Sequence, residues 1–328
     1  MRTASVLAGC VVALLLAIAL GVAFGTDSIS LAKAFGDPTS LDHYILFDVR
    51  LPRVLLAAIA GAGLSIVGVA LQSLLRNPLA EPFVLGVSGG AALGATIVIH
   101  LGLSTTALLG TSLIPIGALL GGLAATALVH ALAAAAGGSR STTVLLAGVI
   151  VNAIASSAIT TVKTLVAPVK AQELLYWLVG NLERPMSPAS IAVLATYVAL
   201  GSAVLLLDAA RLNVLSLGDD AAEHLGVRVR AVELRTLVAS SLIVGAIVST
   251  TGLIGFVGLF VPHILRRILG ADARTLMPAS LVLGAAALVL CDLLSRGAFR
   301  AFDRELPVGV ITALLGGPLF LVLLRKRA

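Results

Sequence analysis

Long runs of apolar residues, each closed by a charge, a proline or a glycine, recur at 4–25, 53–75, 83–102, 112–136, 141–163, 188–208, 235–252, 254–270, 274–295 and 307–324. A helix needs about 20 residues to cross a bilayer, so the pattern predicts an all-α polytopic membrane protein with about ten transmembrane helices. The 254–270 run is short and holds Pro262, and a kinked or partial span is expected there. The first run, about 22 residues, is longer than the 7–15 of a signal-peptide core and is read as a span. Leu7 to Cys10 imitates a lipoprotein cleavage box, but only six residues precede it.

Three connections are long: 26–52, 164–187 and 209–234. The second predicts a short amphipathic helix, Gln172 to Leu182, with Leu174, Leu175, Trp177 and Leu178 at the membrane interface. The third is the most polar. It reads as two short helices broken at Gly218, with Asp219 and Asp220 as first-turn residues and Gly226 as a stop.

Composition agrees with the pattern: 59% of the 328 residues are hydrophobic and only 12% charged. Ten spans leave no room for a water-soluble catalytic domain. The net charge of +6 could suggest nucleic acid, but aromatic residues are 4% and the basic residues are scattered through short loops, so the charge reads as membrane topology. With the amino terminus inside, 13 of the 22 Lys and Arg fall on the inner side, which predicts both termini cytoplasmic. Cys10 and Cys291 both lie in apolar runs and offer neither a disulfide framework nor a metal spacing. No cofactor is expected.

The spans lack Asp, Glu, Lys and Arg near their centres, whereas an ion-coupled transporter needs ionisable groups within the membrane. None of the four lysines follows a glycine, so the phosphate-binding G-x-x-x-x-G-K-[ST] loop is missing. If ATP drives this protein, another chain binds it, and this chain is not itself an enzyme.

RLPRVLLAAIAGAGLSIVGVALQSLLRNPLAEPFVLGVSGGAALGA, from Arg50 to Ala95, is more specific than hydropathy. It resembles the FecCD-type permeases of iron-siderophore, haem and vitamin B12 ABC importers. The resemblance continues in LLAGV at 145–149, LGDDAAEHLGV at 217–227, TGLIGFVGLFVPHILRRILG at 251–270 and ELPVGVITALLGGPLFLVLL at 305–324. It implies that residues 1–328 form a single transmembrane permease domain of ten spans in the cytoplasmic membrane. It also implies a homodimer, two copies of a cytoplasmic ATPase subunit and an extracytoplasmic substrate-binding protein, with no nucleic acid among the partners.

By the same resemblance, 209–234 is a cytoplasmic loop whose Leu217, Gly218, Asp219, Asp220, Ala221, Leu225 and Gly226 couple to the ATPase; the plain alternative is a solvated loop. Asn77 and Leu79, in RNPLAEP, and Ser141 and Thr142 match the family's cytoplasmic gate, and Ser141 or Thr142 equally suits a helix N-cap. Arg50, Arg53 and Arg296, extended by Arg300 and Arg304, match outer-face arginines that dock the binding protein. Alternatively Arg53 caps the interface end of its span and Arg296 pairs with Asp292 at i, i+4. Asn152, Ser156 and Thr160 share one helix face and either line the translocation path or join helices by hydrogen bonds. The Gly and Ala runs at 57–70, 86–95 and 117–125 read as close helix packing. His263 follows the family's pattern whatever the cargo, and His100 and His130 are solitary.

Two rivals remain open. A stand-alone secondary transporter lacks coupling charges, and an intramembrane lipid-modifying enzyme lacks an Asp- or His-rich site.

Overall fold

The computed structural model describes residues 2–83, 86–103, 107–108, 111–136, 141–167, 171–172, 175, 177–183 and 186–325. Its elements are helical apart from a two-residue antiparallel ladder pairing Ala107 with Ser112 and Leu108 with Thr111. The helices are α1 (Arg2–Ala23), α2 (Leu31–Gly36), α3 (Leu41–Leu74), α4 (Val87–His100), α5 (Ile114–Ala135), α6 (Ser141–Leu165), α7 (Pro188–Leu207), α8 (Ala209–Leu215), α9 (Asp219–His224), α10 (Val229–Thr251), α11 (Val257–Leu269), α12 (Ala273–Gly297), α13 (Phe299–Phe302) and α14 (Val308–Arg325).

Local chemistry sets many of the boundaries. Ser187 caps α7, its hydroxyl accepting from the Ser190 N–H, and Pro188 supplies a preset first turn. Asp272 caps α12 by accepting from the Arg274 N–H at 2.9 Å. A π-turn, Ile45–Arg50, runs directly into the long straight part of α3.

Each apolar run predicted from the sequence holds a helix. Among the described residues, seven helices are long and apolar enough to cross a membrane. The ten-span expectation therefore depends on α4, α11 and α14 as well. α4 has 14 residues and α11 has 13, while α14 has 18, its side chains described as far as Pro318. A 13-residue helix rises about 20 Å, less than the roughly 30 Å hydrocarbon core. α11 follows non-helical backbone at 252–256, and its N-cap Phe256 has a φ of +67°. Such backbone is tolerated at membrane depth only where protein surrounds it.

α3 is the central helix, packed against α12, α11, α10 and α7, and almost all of its inner stretch from Ala57 to Leu71 is buried. Small residues let backbones meet. A methyl on Gly61 would overlap the Gly284 carbonyl of α12, and one on Gly94 would overlap the Gly117 carbonyl of α5. The close packing read from the Gly and Ala runs is what these helices show.

The segment expected to lie on the membrane interface is instead folded into the protein. Trp177 is buried, Gly180 (φ +77°) sits against the Leu253 carbonyl, and the Asn181 N–H donates to Thr251 O at 2.7 Å. Leu175 keeps the exposure expected of it; Leu174 lies outside the described residues. The interfacial reading fails because these backbone partners come from the end of α10, which the local pattern does not contain.

Candidate functional site

Two polar clusters occupy opposite ends of the bundle. Arg53 and Arg76 flank the long part of α3, separated by about 35 Å at 1.5 Å per residue.

At the Arg76 end lie α8 and α9, the two short helices expected in the polar loop. Gly218 divides them with φ +121° and ψ 155°, a region open essentially to glycine alone. α9 closes in a Schellman motif: Val227 N–H donates to Ala222 O and Gly226 N–H, at φ +80°, to Glu223 O. Asp219 and Asp220 fill the first turn, where the helix dipole favours negative charge. Leu217 and Leu225, on either side of this helix, are exposed at 68% and 64%, while Ala222 is buried beneath it.

α8 is braced on two sides. The buried carboxylate of Asp208 accepts from Arg235 Nε at 2.8 Å and Nη2 at 3.0 Å, and also pairs with Arg211. Asn213 donates to Asp272 Oδ1 at 2.6 Å and accepts from the Ala273 N–H at 2.8 Å. Hydrogen bonds, first from Arg274 and then from Asn213, hold the Asp272 carboxyl down at about 2. These braces have no signal in the local sequence pattern, because Asp208 and Arg235, and Asn213 and Asp272, belong to different elements.

The RNPLAEP turn follows α3 at the same end. Asn77 Oδ1 accepts from the Leu79 N–H at 3.0 Å, and Ala80 N–H donates to Asn77 O, closing the turn that Pro78 favours. Leu79 is partly exposed. Glu81 accepts from the Phe256 backbone, and burial pushes its carboxyl up to about 7. Beside the turn, Gln72 donates to Gly258 O at 3.1 Å and accepts from Arg266 at 3.0 Å, fastening α3 to α11. Ser141 and Thr142 open α6, but their side chains lie outside the described residues.

On α6, Asn152 donates to Phe83 O and seats over Gly89, so its amide ties α6 to the backbone between the RNPLAEP turn and α4. Ser156 and Thr160 are exposed on the outward face, with Thr160 Oγ1 donating to Ser156 O at 2.8 Å. Leu146, Val149, Ile150 and Ile154 are exposed on the same helix.

The opposite cluster holds Arg50, Arg53 and Arg296, the arginines expected to dock the binding protein. Arg50 and Arg296 are 4% and 3% exposed, and the Arg53 side chain is only 10% exposed. Arg53 Nε lies 2.8 Å from Asp292 Oδ1 and its Nη1 2.8 Å from Glu305. Arg296 pairs with the same carboxylate at 3.1 Å, the i, i+4 alternative. The remaining donors cap α1: Arg296 reaches Gly21 O and Phe24 O, both at 2.9 Å, while Arg50 reaches the carbonyls of Val22, Ala23 and Asp27. Orphan carbonyls at a helix C-terminus attract such cations, and a buried acid holds them in place. Apart from the Arg296–Asp292 pair, these partners are joined across α1, α3 and α12 and leave no mark in the local sequence pattern.

The model of one family, described as the FecCD transport family, matches residues 10–326. The chain belongs to the FecCD transport family. The hemin transport system permease HmuU of Yersinia pestis is 37% identical over 323 residues, covering 97% of this chain and 95% of that protein. The cobalamin import system permease BtuC of Halobacterium salinarum is 40% identical, covering 89% and 76%. The Fe(3+) dicitrate transport system permease FecC of Escherichia coli is 36% identical, covering 89% and 86%. Among solved structures, a metal-chelate type ABC transporter in an inward-facing conformation matches with a TM-score of 0.86 at 31% identity, covering 98% of this chain and 99% of that one. PsaBC from Streptococcus pneumoniae shares the fold, with a TM-score of 0.57 at 16% identity.

Proposed function

We propose that this chain is the transmembrane permease subunit of an ATP-binding-cassette importer that carries an iron(III)-siderophore, or a similar chelate such as haem or cobalamin, across the cytoplasmic membrane. The observation that carries the reading is the end-to-end likeness to a metal-chelate ABC transporter, 98% of this chain against 99% of that one. ATP is hydrolysed by two copies of a separate cytoplasmic subunit, and an extracytoplasmic binding protein delivers the cargo.

Coupling runs through Leu217, Gly218, Asp219, Asp220, Ala221, Leu225 and Gly226. Two exposed leucines flanking a glycine-bounded acidic helix support this, because a partner cleft would cover apolar surface that solvent leaves bare. Asn77, Leu79, Ser141 and Thr142 form the cytoplasmic gate. Asn152, Ser156 and Thr160 line or border the path at a homodimer interface, a reading supported by the exposed apolar residues of α6. Ten spans and cytoplasmic termini complete the proposal. The buried Arg50, Arg53 and Arg296 fit a structural role better than a docking one.

The test is transport into proteoliposomes holding the permease with its ATPase and supplied with the cognate binding protein. Uptake of the chelate which that protein retains should require ATP. Uptake without ATPase or nucleotide, driven by an ion gradient, would refute the reading.

A further inference from the structure

We propose that Arg76 is the positioning residue that transmits movement of the coupling helices to the gate turn. The inference rests on the coupling role of 217–226 given above and adds the physical link from it to Asn77 and Leu79.

Arg76 sits where α3 has ended and the gate turn begins, and it grips both sides of the α8–α9 break at once. Its Nε donates to Leu215 O, at the end of α8, at 3.0 Å, and its Nη2 pairs with Asp219 in the first turn of α9. Gly218, with open space around it, lies between those two acceptors. An exposed ion pair alone holds little. A guanidinium fork that engages a helix-end carbonyl and a carboxylate together fixes direction as well as distance.

The backbone of Arg76 joins α3 to the gate turn. Its φ is +48°, left-handed and uncommon for a residue with a side chain. That conformation closes α3 in a Schellman motif, with Asn77 N–H donating to Gln72 O at 3.2 Å and Arg76 N–H to Ser73 O at 3.4 Å, so the helix end, the Arg76 side chain and the gate turn meet at one residue. The next residue, Asn77, builds the gate turn, so a change in Arg76's backbone re-aims Leu79.

The bracing around the link is uneven. α8 is fastened to α10 through Asp208–Arg235 and to α12 through Asn213. α9 rests on the bundle through the buried Ala222, and its two bounding glycines, Gly218 and Gly226, have open space where a Cβ would stand. A partner that pushes α9 therefore moves Asp219 relative to a fixed Leu215 carbonyl, and Arg76 is the side chain that spans the two.

The test uses the full transporter, with its ATPase and binding protein, in liposomes. Arg76→Asn removes the reach while tolerating positive φ; Asp219→Asn removes the ion pair. Each should lower cargo transported per ATP hydrolysed about fivefold, and the double variant should fall no further, as for residues of one network. Leu79→Cys reports the gate, because Cys10 and Cys291 are buried and give little background. Its maleimide labelling rate should change with ATP in the parent and stop changing when Arg76→Asn is added. Arg76→Lys, which keeps the charge but cannot span both acceptors, should lower the ratio as well, and it serves where Arg76→Asn does not assemble. A parental ratio in these variants, multiplicative losses in the double, or ATP-dependent labelling that survives Arg76→Asn overturns the proposal. Gly218→Val separates the two readings: if it uncouples hydrolysis while the Arg76 variants do not, only the link fails. If it too keeps the parental ratio, the coupling assignment itself is wrong.

Discussion

Replacing Asp292 by asparagine tests whether the arginine cluster is a structural core. The carboxylate is fully buried and faces Arg53 Nε at 2.8 Å and Arg296 Nε at 3.1 Å. The cluster carries three positive and two negative charges with Arg50 and Glu305 included, so the substitution raises its excess from one to two. Removing one partner of a buried ion pair costs about 3–5 kcal/mol because the other charge is left uncompensated. With both guanidiniums at most 10% exposed, little of that is screened by solvent. On the usual scaling, the loss should lower the apparent melting temperature by about 5–15 °C. Size-exclusion chromatography of detergent-solubilised protein after brief heating reads this directly. Asp292→Asn/Arg53→Gln returns the excess to one and should recover about 1–2 kcal/mol, since neighbours in one charge network are not additive. A melting temperature unchanged in Asp292→Asn, or a double variant that loses the sum of both singles, would refute the reasoning.

Two further outcomes follow from the opposite end. Glu81 is raised from 4.5 to about 7 by burial, so the folded protein holds its proton more tightly than the unfolded chain. Stability should fall as pH rises from about 4.5 to 7 and then level off, and a pH series of melting curves should lose that slope in Glu81→Gln. Asn213→Ala removes both hydrogen bonds that brace α8 on α12 and should cost about 1–3 kcal/mol. Its signature is faster amide exchange confined to 209–216 and the start of α12, and uniform exchange across the bundle would contradict it.

The sequence by itself determined that its long apolar runs are helical and where several of them stop, but not that α2 and the start of α3 lie in the connection at 26–52. In hydrocarbon each backbone polar group must bond within its own segment, so apolar runs, caps and breakers carry that information locally. In the polar loop the break at Gly218 and the stop at Gly226 were legible from the glycines and first-turn acids themselves. So was the small-residue packing of α3, α4 and α5, and motif order alone pointed to the family. Only the tertiary structure decided which way the polar side chains turn. Arg53 and Asp292 are 239 positions apart, and Arg76 and Asp219 are 143 apart. Whether such charges face solvent or one another depends on helix rotation and neighbours, which hydropathy does not encode. For the same reason Trp177 went inward, and the non-helical backbone ahead of α11 is held within the protein.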